Sequence, residues 1–268
     1  MSLDYDATHP LFIPPHTRLR IDEAPTALDL CHAAGKPVLI YIHGRAKDIG
    51  EPKKSVQSGI YKELADYGVA VLGFTWDADD GGFDENRPIA ACDDFARLLT
   101  ALRDFLTTHA VAKPALLAHS MGNIIVAELA KDELLGADGG ELVSNLILTS
   151  AAVKTKRHAK WLDRIGIAER IYVAINSHDA VLGFAGVAFK PNMLGGDLRA
   201  PGASSARVTY VDVSACDVNH RYFVPQGQKG HARLKAFYRQ AVLGKAVDFA
   251  GLAEAGTIDG VAVQRIVG

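Results

Sequence analysis

The sequence has few cysteines, few aromatic residues and no long apolar run. Its 268 residues include three cysteines, Cys31, Cys92 and Cys216, which form no CxxC pair. An odd number of widely spaced cysteines argues against a disulfide framework and against a zinc site. No apolar run approaches the length that a helix needs to cross a bilayer. We therefore expect free thiols, no metal centre and no membrane span.

An excess of charge of one sign is also missing. The chain has 29 Lys and Arg against 31 Asp and Glu, a formal net charge of -2. Nucleic-acid partners are not expected, because they require a basic face. The densest basic cluster, residues 154–158 (KTKRH), is interpreted as a solvated loop. The N-terminal segment carries acids and prolines where a signal peptide needs basic and then apolar residues, which predicts a cytoplasmic protein.

What the sequence does contain is a series of short apolar runs that alternate with segments of helical periodicity. Nearly continuous hydrophobicity is typical of strands that are covered on both faces. Alternating strands and helices favour βαβ units with right-handed crossovers. The predicted strands are Val38–His43, Val69–Trp76, Ala115–His119, Leu142–Thr149, Arg170–Asn176 and Arg207–Val213, and the clearest helices are Ile89–Leu106, Ile124–Leu135 and Ala232–Leu243.

No linker or internal repeat divides the chain, so residues 1–268 are predicted to form a single α/β domain with a core at about residues 36–245. Leu11–Pro15 is expected to wrap around the periphery. The tail after Gly244 is compatible with either an added edge strand or a homodimer contact.

One predicted strand runs directly into a helix at a serine. In LLAHSMGNIIVAELA, residues 116–130, Ser120 is flanked two places away by the small residues Ala118 and Gly122. A serine at such a junction is an ordinary helix N-cap. A nucleophile on a sharp strand-to-helix turn also needs small neighbours at these two positions, and the helix N-terminus beneath it favours a developing oxyanion. Both interpretations fit the local sequence.

Here the chain resembles the α/β-hydrolase superfamily. Its nucleophile elbow reads G-x-S-x-G, with Ala118 replacing the first glycine as in some small bacterial lipases, and His43-Gly44 ends the first strong strand. The resemblance implies a three-layer αβα sandwich around a mostly parallel sheet of about six to eight strands. It also implies that the backbone N–H groups of Arg45 and Met121 form the oxyanion hole. The His43 side chain itself is expected to be structural.

The superfamily's order of serine, acid and histidine points to Asp179 as the acid. Asp179 follows the next-to-last predicted strand, where it would orient the histidine. A helix-capping role is the alternative for this residue, and Asp212 and Asp217 are competing acids. The adjacent His178 is interpreted as a loop residue.

Two histidines after the last strand, His220 and His231, are candidates for the general base. His220 is preferred on loop length and on a closer resemblance. A group of poorly characterised bacterial α/β-hydrolases is similar to this chain over about residues 36–245 and has His-x-Tyr-Phe at the position of His220. The sequence leaves His231 open.

These residues predict a serine hydrolase that cleaves a carboxylic ester through an acyl-enzyme, with Ser120, Asp179 and His220 as the catalytic residues. No metal or organic cofactor is expected, because the sequence has no P-loop and no G-x-G-x-x-G after a strand. The same residues would serve an acyltransferase, thioesterase, amidase or lactonase, and the fold also supports non-catalytic binding proteins.

The expected partner is a small-molecule acyl substrate in an open site. Specificity would be set by the loops at 45–60, 77–90, 154–168 and 180–205, with Trp76, Phe83 and Trp161 as candidate lining residues.

Overall fold

The computed structural model describes residues 9–15, 17–45, 56–78, 83–136, 140–183, 192–198 and 204–267. In this part of the chain, ten strands form one sheet. They are β1 (Leu11–Ile13), β2 (Thr17–Leu19), β3 (Val38–Ile42), β4 (Ala70–Phe74), β5 (Ala115–His119), β6 (Val143–Thr149), β7 (Ala168–Ile175), β8 (Val208–Asp212), β9 (Ala253–Ile258) and β10 (Val261–Ile266).

The sheet order is β2-β1-β4-β3-β5-β6-β7-β8-β10-β9. The seven strands from β4 to β10 in this order run parallel, and β1, β2 and β9 are antiparallel to their neighbours. The carboxyl ends of the central strands therefore meet at one edge, where open α/β sheets bind their ligands.

The α/β-hydrolase fold predicted from the sequence is confirmed, but the predicted count of six to eight strands was too low. The additional strands lie at the two edges of the sheet. Leu11–Pro15 was expected to wrap the periphery, yet Leu11 and Phe12 pair with β4. The tail adds the β9–β10 hairpin, with β10 parallel to β8. These strands are short or partly exposed, so they lack the continuous hydrophobicity of the central strands.

Helices cover both faces of the sheet. They are α1 (Ala24–Ala33), α2 (Val56–Ala65), α3 (Asn86–Ala90), α4 (Cys92–Thr108), α5 (Gly122–Lys131), α6 (His158–Leu162) and α7 (Ala232–Val242). The predicted helix Ile89–Leu106 is divided at Ala91 between α3 and α4.

Alternating side chains of the strands enter two separate cores. In β3, Ile40 and Ile42 pack with α1, α4, α5 and α6, whereas Leu39 and Tyr41 pack with α2 and α7 on the other face. This alternation follows from the two-residue period of a strand and produces the three-layer arrangement. None of the helices in the described ranges is long and apolar enough to cross a membrane.

Candidate active site

The candidate site is built on the turn between β5 and α5. Ser120 has a left-handed backbone with φ of 52°, which is unfavourable for a residue with a Cβ. Space around the turn is very small. A Cβ added to Gly122 would lie 2.6 Å from the His43 carbonyl oxygen, and one added to Gly44 would lie 2.6 Å from Ser120 Cβ. Glycine is therefore required at both positions.

The strained turn is held by the side chain of Asn123. Its Nδ2 donates to the carbonyl oxygens of Ser120 at 2.9 Å and Ala118 at 3.1 Å. The Ser120 N–H continues the parallel ladder by donating to the Thr149 carbonyl at 3.1 Å. These bonds fix the backbone on both sides of the serine, which is how unfavourable backbone angles persist in a folded protein.

Ser120, His220 and Asp179 form one hydrogen-bonded row. His220 Nε2 lies 3.0 Å from Ser120 Oγ, and His220 Nδ1 lies 2.8 Å from Asp179 Oδ2 and 3.0 Å from Oδ1. The Asp179 side chain is fully buried, whereas 15% of the His220 side chain is exposed. The structure thus brings together three residues that are far apart in sequence.

Asp179 also caps a helix. Its Oδ1 accepts the backbone N–H groups of Val181 at 3.1 Å and Leu182 at 3.2 Å, where helical backbone begins at residue 180. The two roles considered for this residue from the sequence are therefore compatible. The cap fixes the carboxylate so that its remaining lone pairs face the imidazole.

The other candidate acids and histidines make different contacts. Asp212 accepts hydrogen bonds from the Arg265 guanidinium and the Ser214 N–H. Asp217 has a left-handed backbone at the end of the short helix Ser214–Cys216. His178 is exposed, and its Nδ1 donates to the Ser214 carbonyl. His231 precedes α7 and, among the described residues, contacts neither Ser120 nor Asp179.

The loop that carries His220 is fastened by polar side chains that sequence reasoning missed. Ser150 Oγ donates to the His220 carbonyl at 2.9 Å, and Asn176 Nδ2 donates to the Val218 carbonyl at 2.8 Å. Tyr222 OH donates to the Ala174 carbonyl at 3.3 Å. Ser150 and Asn176 each come directly after a buried strand, β6 or β7. A polar residue at that position was the signal that could have identified them.

His43 is a buried structural residue. Its Nδ1 donates to the Gly44 carbonyl at 2.6 Å, and its Nε2 accepts the Trp76 N–H at 3.1 Å. The Trp76 ring is buried, stacks on His43 and donates its indole N–H to the His43 carbonyl. Burial lowers the pKa of His43 to about 4, so the ring is neutral at pH 7. Trp76 thus fixes the end of β3.

Stability should depend on pH through His43. Its folded pKa of about 4 lies below the ordinary value of 6.5, so the unfolded chain binds the extra proton between these values. The contribution of His43 to the free energy of unfolding is fully present above pH 6.5. It decreases by roughly 3 kcal/mol as the pH falls toward 4. Urea unfolding across this range would measure the loss. His43→Gln, which does not titrate, should show a shallower pH dependence, and an unchanged dependence would contradict the prediction.

The proposed oxyanion donors are the backbone N–H groups of Arg45 and Met121. Met121 directly follows Ser120 and precedes α5, and Arg45 follows Gly44, whose backbone packs against Ser120. The N-terminus of the ten-residue helix α5 carries a partial positive charge at this point. The oxyanion role of both N–H groups stays a prediction.

Much of the predicted substrate-binding surface falls outside the described residues, namely 46–55, 79–82, 184–191 and 199–203. The predicted open site is therefore left as a prediction. Of the two remaining candidate lining residues, Phe83 packs against the core and Trp161 is buried beside α5. In the described ranges, no three His, Cys, Asp or Glu side chains are grouped as a metal site would require.

The fold and this site define the class of protein as an α/β hydrolase. A family model described as "Alpha/beta hydrolase of unknown function (DUF900)" matches residues 23–190, which is more than half of the chain. The chain belongs to this family. The matched region includes Ser120 and Asp179 and ends before His220.

The solved structures that match this chain are distant in sequence. A mutant of the esterase E40 has 15% identity and a TM-score of 0.42, with 77% of each chain covered. The monoclinic form of an esterase from Pyrobaculum calidifontis gives the same values. A putative hydrolase from Agrobacterium vitis S4 has 14% identity and a TM-score of 0.41, covering 78% of this chain and 88% of that chain. A search of curated proteins gave no match.

Proposed function

We propose that this protein is a serine hydrolase that cleaves a carboxylic ester through a covalent acyl-enzyme. The observation that carries the proposal is the row from Ser120 Oγ through His220 to the buried Asp179 carboxylate. A serine hydroxyl is a weak nucleophile until an adjacent base accepts its proton, and that base needs a third group to orient it. All three roles have a residue at hydrogen-bond distance.

In the first half of the reaction, Ser120 Oγ attacks the ester carbonyl while His220 Nε2 takes its proton. Asp179 accepts the Nδ1–H, which selects the required tautomer and stabilises the imidazolium. The negative charge on the carbonyl oxygen would be held by the N–H groups of Met121 and Arg45 and by the N-terminus of α5. Collapse breaks the ester bond, and His220 protonates the departing alkoxide.

In the second half, water replaces the alcohol. His220 removes a proton from water, the resulting nucleophile attacks the acyl-enzyme, and the tetrahedral intermediate collapses. The proton returns to Ser120 Oγ, and the carboxylic acid is released. This cycle needs His220 to face Ser120 throughout. The bonds from Ser150 to the His220 carbonyl and from Asn176 to the Val218 carbonyl hold it there.

Labelling with a broad fluorophosphonate tests the proposal before any substrate is known. We expect intact-mass spectrometry to show a single adduct on the wild type and none on Ser120→Ala, because the probe reacts only with an activated serine. His220→Ala should react far more slowly, since Ser120 loses its base. A panel of esters, thioesters and amides then identifies the acyl bond.

Two results would contradict the proposal. An adduct that persists in Ser120→Ala would place the nucleophile elsewhere. No adduct on folded wild-type protein would favour a non-catalytic binding protein on the same fold.

A further inference from the structure

A concave site lies near the candidate active site, between α5, α6 and the loop that joins β6 to α6. Its cavity of about 360 Å³ is at the small end of the range for ligand sites. It does not include Ser120, Asp179 or His220. The two sites are linked through the backbone, because Ala152, which lines the cavity, donates its N–H to the Ser120 carbonyl at 3.2 Å.

The cavity concentrates positive charge in a chain whose net charge is -2. Among the described residues, Glu85 and Glu128 are the acidic residues of its lining, and they pair with Lys154 and Lys131. Arg164 pairs with Glu133. Lys156, Arg157 and Lys160 have no carboxylate within ion-pair distance in the part of the chain that the structure describes. The six cationic residues of the lining are Lys131, Lys154, Lys156, Arg157, Lys160 and Arg164.

The loop that carries Lys154, Lys156 and Arg157 is held in place by buried polar side chains. Thr155 is fully buried, and its Oγ1 donates to the Asp197 carbonyl at 2.8 Å. His158, also fully buried, bonds the Thr155 carbonyl through Nδ1 at 2.7 Å and Tyr210 OH through Nε2 at 2.8 Å. Lys156 and Arg157 lie between these anchors and are exposed. Arg157 has a left-handed backbone with φ of 64°, so the anchored loop also holds an unfavourable conformation.

The floor of the cavity is apolar. Trp161, Ile124 and Val153 line it and are nearly buried, with 5%, 4% and 8% of their surfaces exposed. A cationic rim above an apolar floor suits a ligand with an anionic group at one end and a ring at the other. Arg and Lys favour phosphate oxygens, and a cavity of this size accommodates a small molecule better than a polymer.

We propose that this cavity binds a ring-bearing phosphate ester, with the phosphate held by Lys156, Arg157 and Lys160 and the ring placed over Trp161, Ile124 and Val153. The sequence had suggested only a solvated loop at residues 154–158. Packing of α6 against α5 converts that loop into the rim of a cavity. The binding does not depend on the proposed hydrolase activity, since no catalytic residue takes part.

Isothermal titration with phenyl phosphate tests the proposal on Ser120→Ala as well as on wild type. Both proteins should bind it equally, and inorganic phosphate should bind about tenfold more weakly because it lacks the ring. The variant Arg157→Glu/Lys160→Glu should raise the dissociation constant of phenyl phosphate by at least about tenfold, because both side chains change the sign of their charge. Both are exposed, so the variant should fold normally.

The matched control is Lys62→Glu/Arg233→Glu, which makes the same change in net charge. Both residues are exposed on α2 and α7, which pack on the opposite face of the sheet. The control should bind phenyl phosphate within about twofold of the wild type. Equal weakening in both double variants, no binding at millimolar phenyl phosphate, or preferential binding of polyglutamate would each overturn the proposal.

Discussion

Replacing Ser120 by alanine should abolish turnover while leaving the fold intact. We expect kcat, measured with the best ester from a p-nitrophenyl panel, to fall by at least about 10⁴-fold, because no covalent intermediate can form. The free energy of unfolding should change little. The hydroxyl makes one described side-chain contact, to His220, and alanine keeps a Cβ at the same left-handed backbone position.

Two further serine variants separate chemistry from structure. Ser144 lies at the start of β6, and its buried hydroxyl donates to the Pro114 carbonyl just before β5. Ser144→Ala removes this hydroxyl and should retain wild-type turnover. Ser120→Gly should be as inactive as Ser120→Ala but more stable than it by about 1 kcal/mol, because glycine adopts φ of 52° without a steric penalty. Turnover that survives in either Ser120 variant would end the proposed mechanism.

The second large effect should distinguish the two candidate histidines. We expect His220→Ala to lower kcat by at least about 10³-fold, because the variant has no group to accept the Ser120 proton. His231→Ala should stay within about twofold of the wild type, since the His231 side chain has no contact with Ser120 in the described structure. Turnover of a p-nitrophenyl ester at pH 7 measures both.

Each histidine variant serves as the control for the other. Both remove an imidazole from the segment after β8, so a loss caused by general destabilisation should appear in both. Urea unfolding of the two variants would detect such a loss. The reverse pattern, with His231→Ala inactive and His220→Ala active, would show that the general base had been assigned to the wrong histidine.

The central strands could be predicted from the sequence because burial on both faces leaves a local signal. The run Ala115–His119 coincides with β5, and every residue of β6 is buried. The edge strands have no comparable signal. β1 has three residues, and β9 has no buried residue. Their place depends on pairing with strands that are distant in sequence, such as β1 with β4.

The supporting contacts of the site could be predicted only in part. For Ser150 and Asn176, the sequence signal is a polar residue directly after a buried strand, and it does not identify the partner. Asn123, Ser150 and Asn176 are ordinary polar residues in the sequence, and their importance lies in the carbonyl groups that they meet. Asn176 bonds to a carbonyl 42 residues away, and Ser150 to one 70 residues away. The cationic cavity likewise combines side chains of α5, of α6 and of the loop that joins β6 to α6. These elements come together only through packing.

By itself, the sequence determined the α/β class and the turn at Ser120. The strand, the small neighbours Ala118 and Gly122 and the following helix are contiguous, so their steric requirements can be read locally. Only the tertiary structure decided which histidine lies beside the serine and which acid lies beside that histidine. His220 is 41 residues from Asp179 and 100 from Ser120, and the parallel pairing of β5 to β8 brings the three strand ends to one edge.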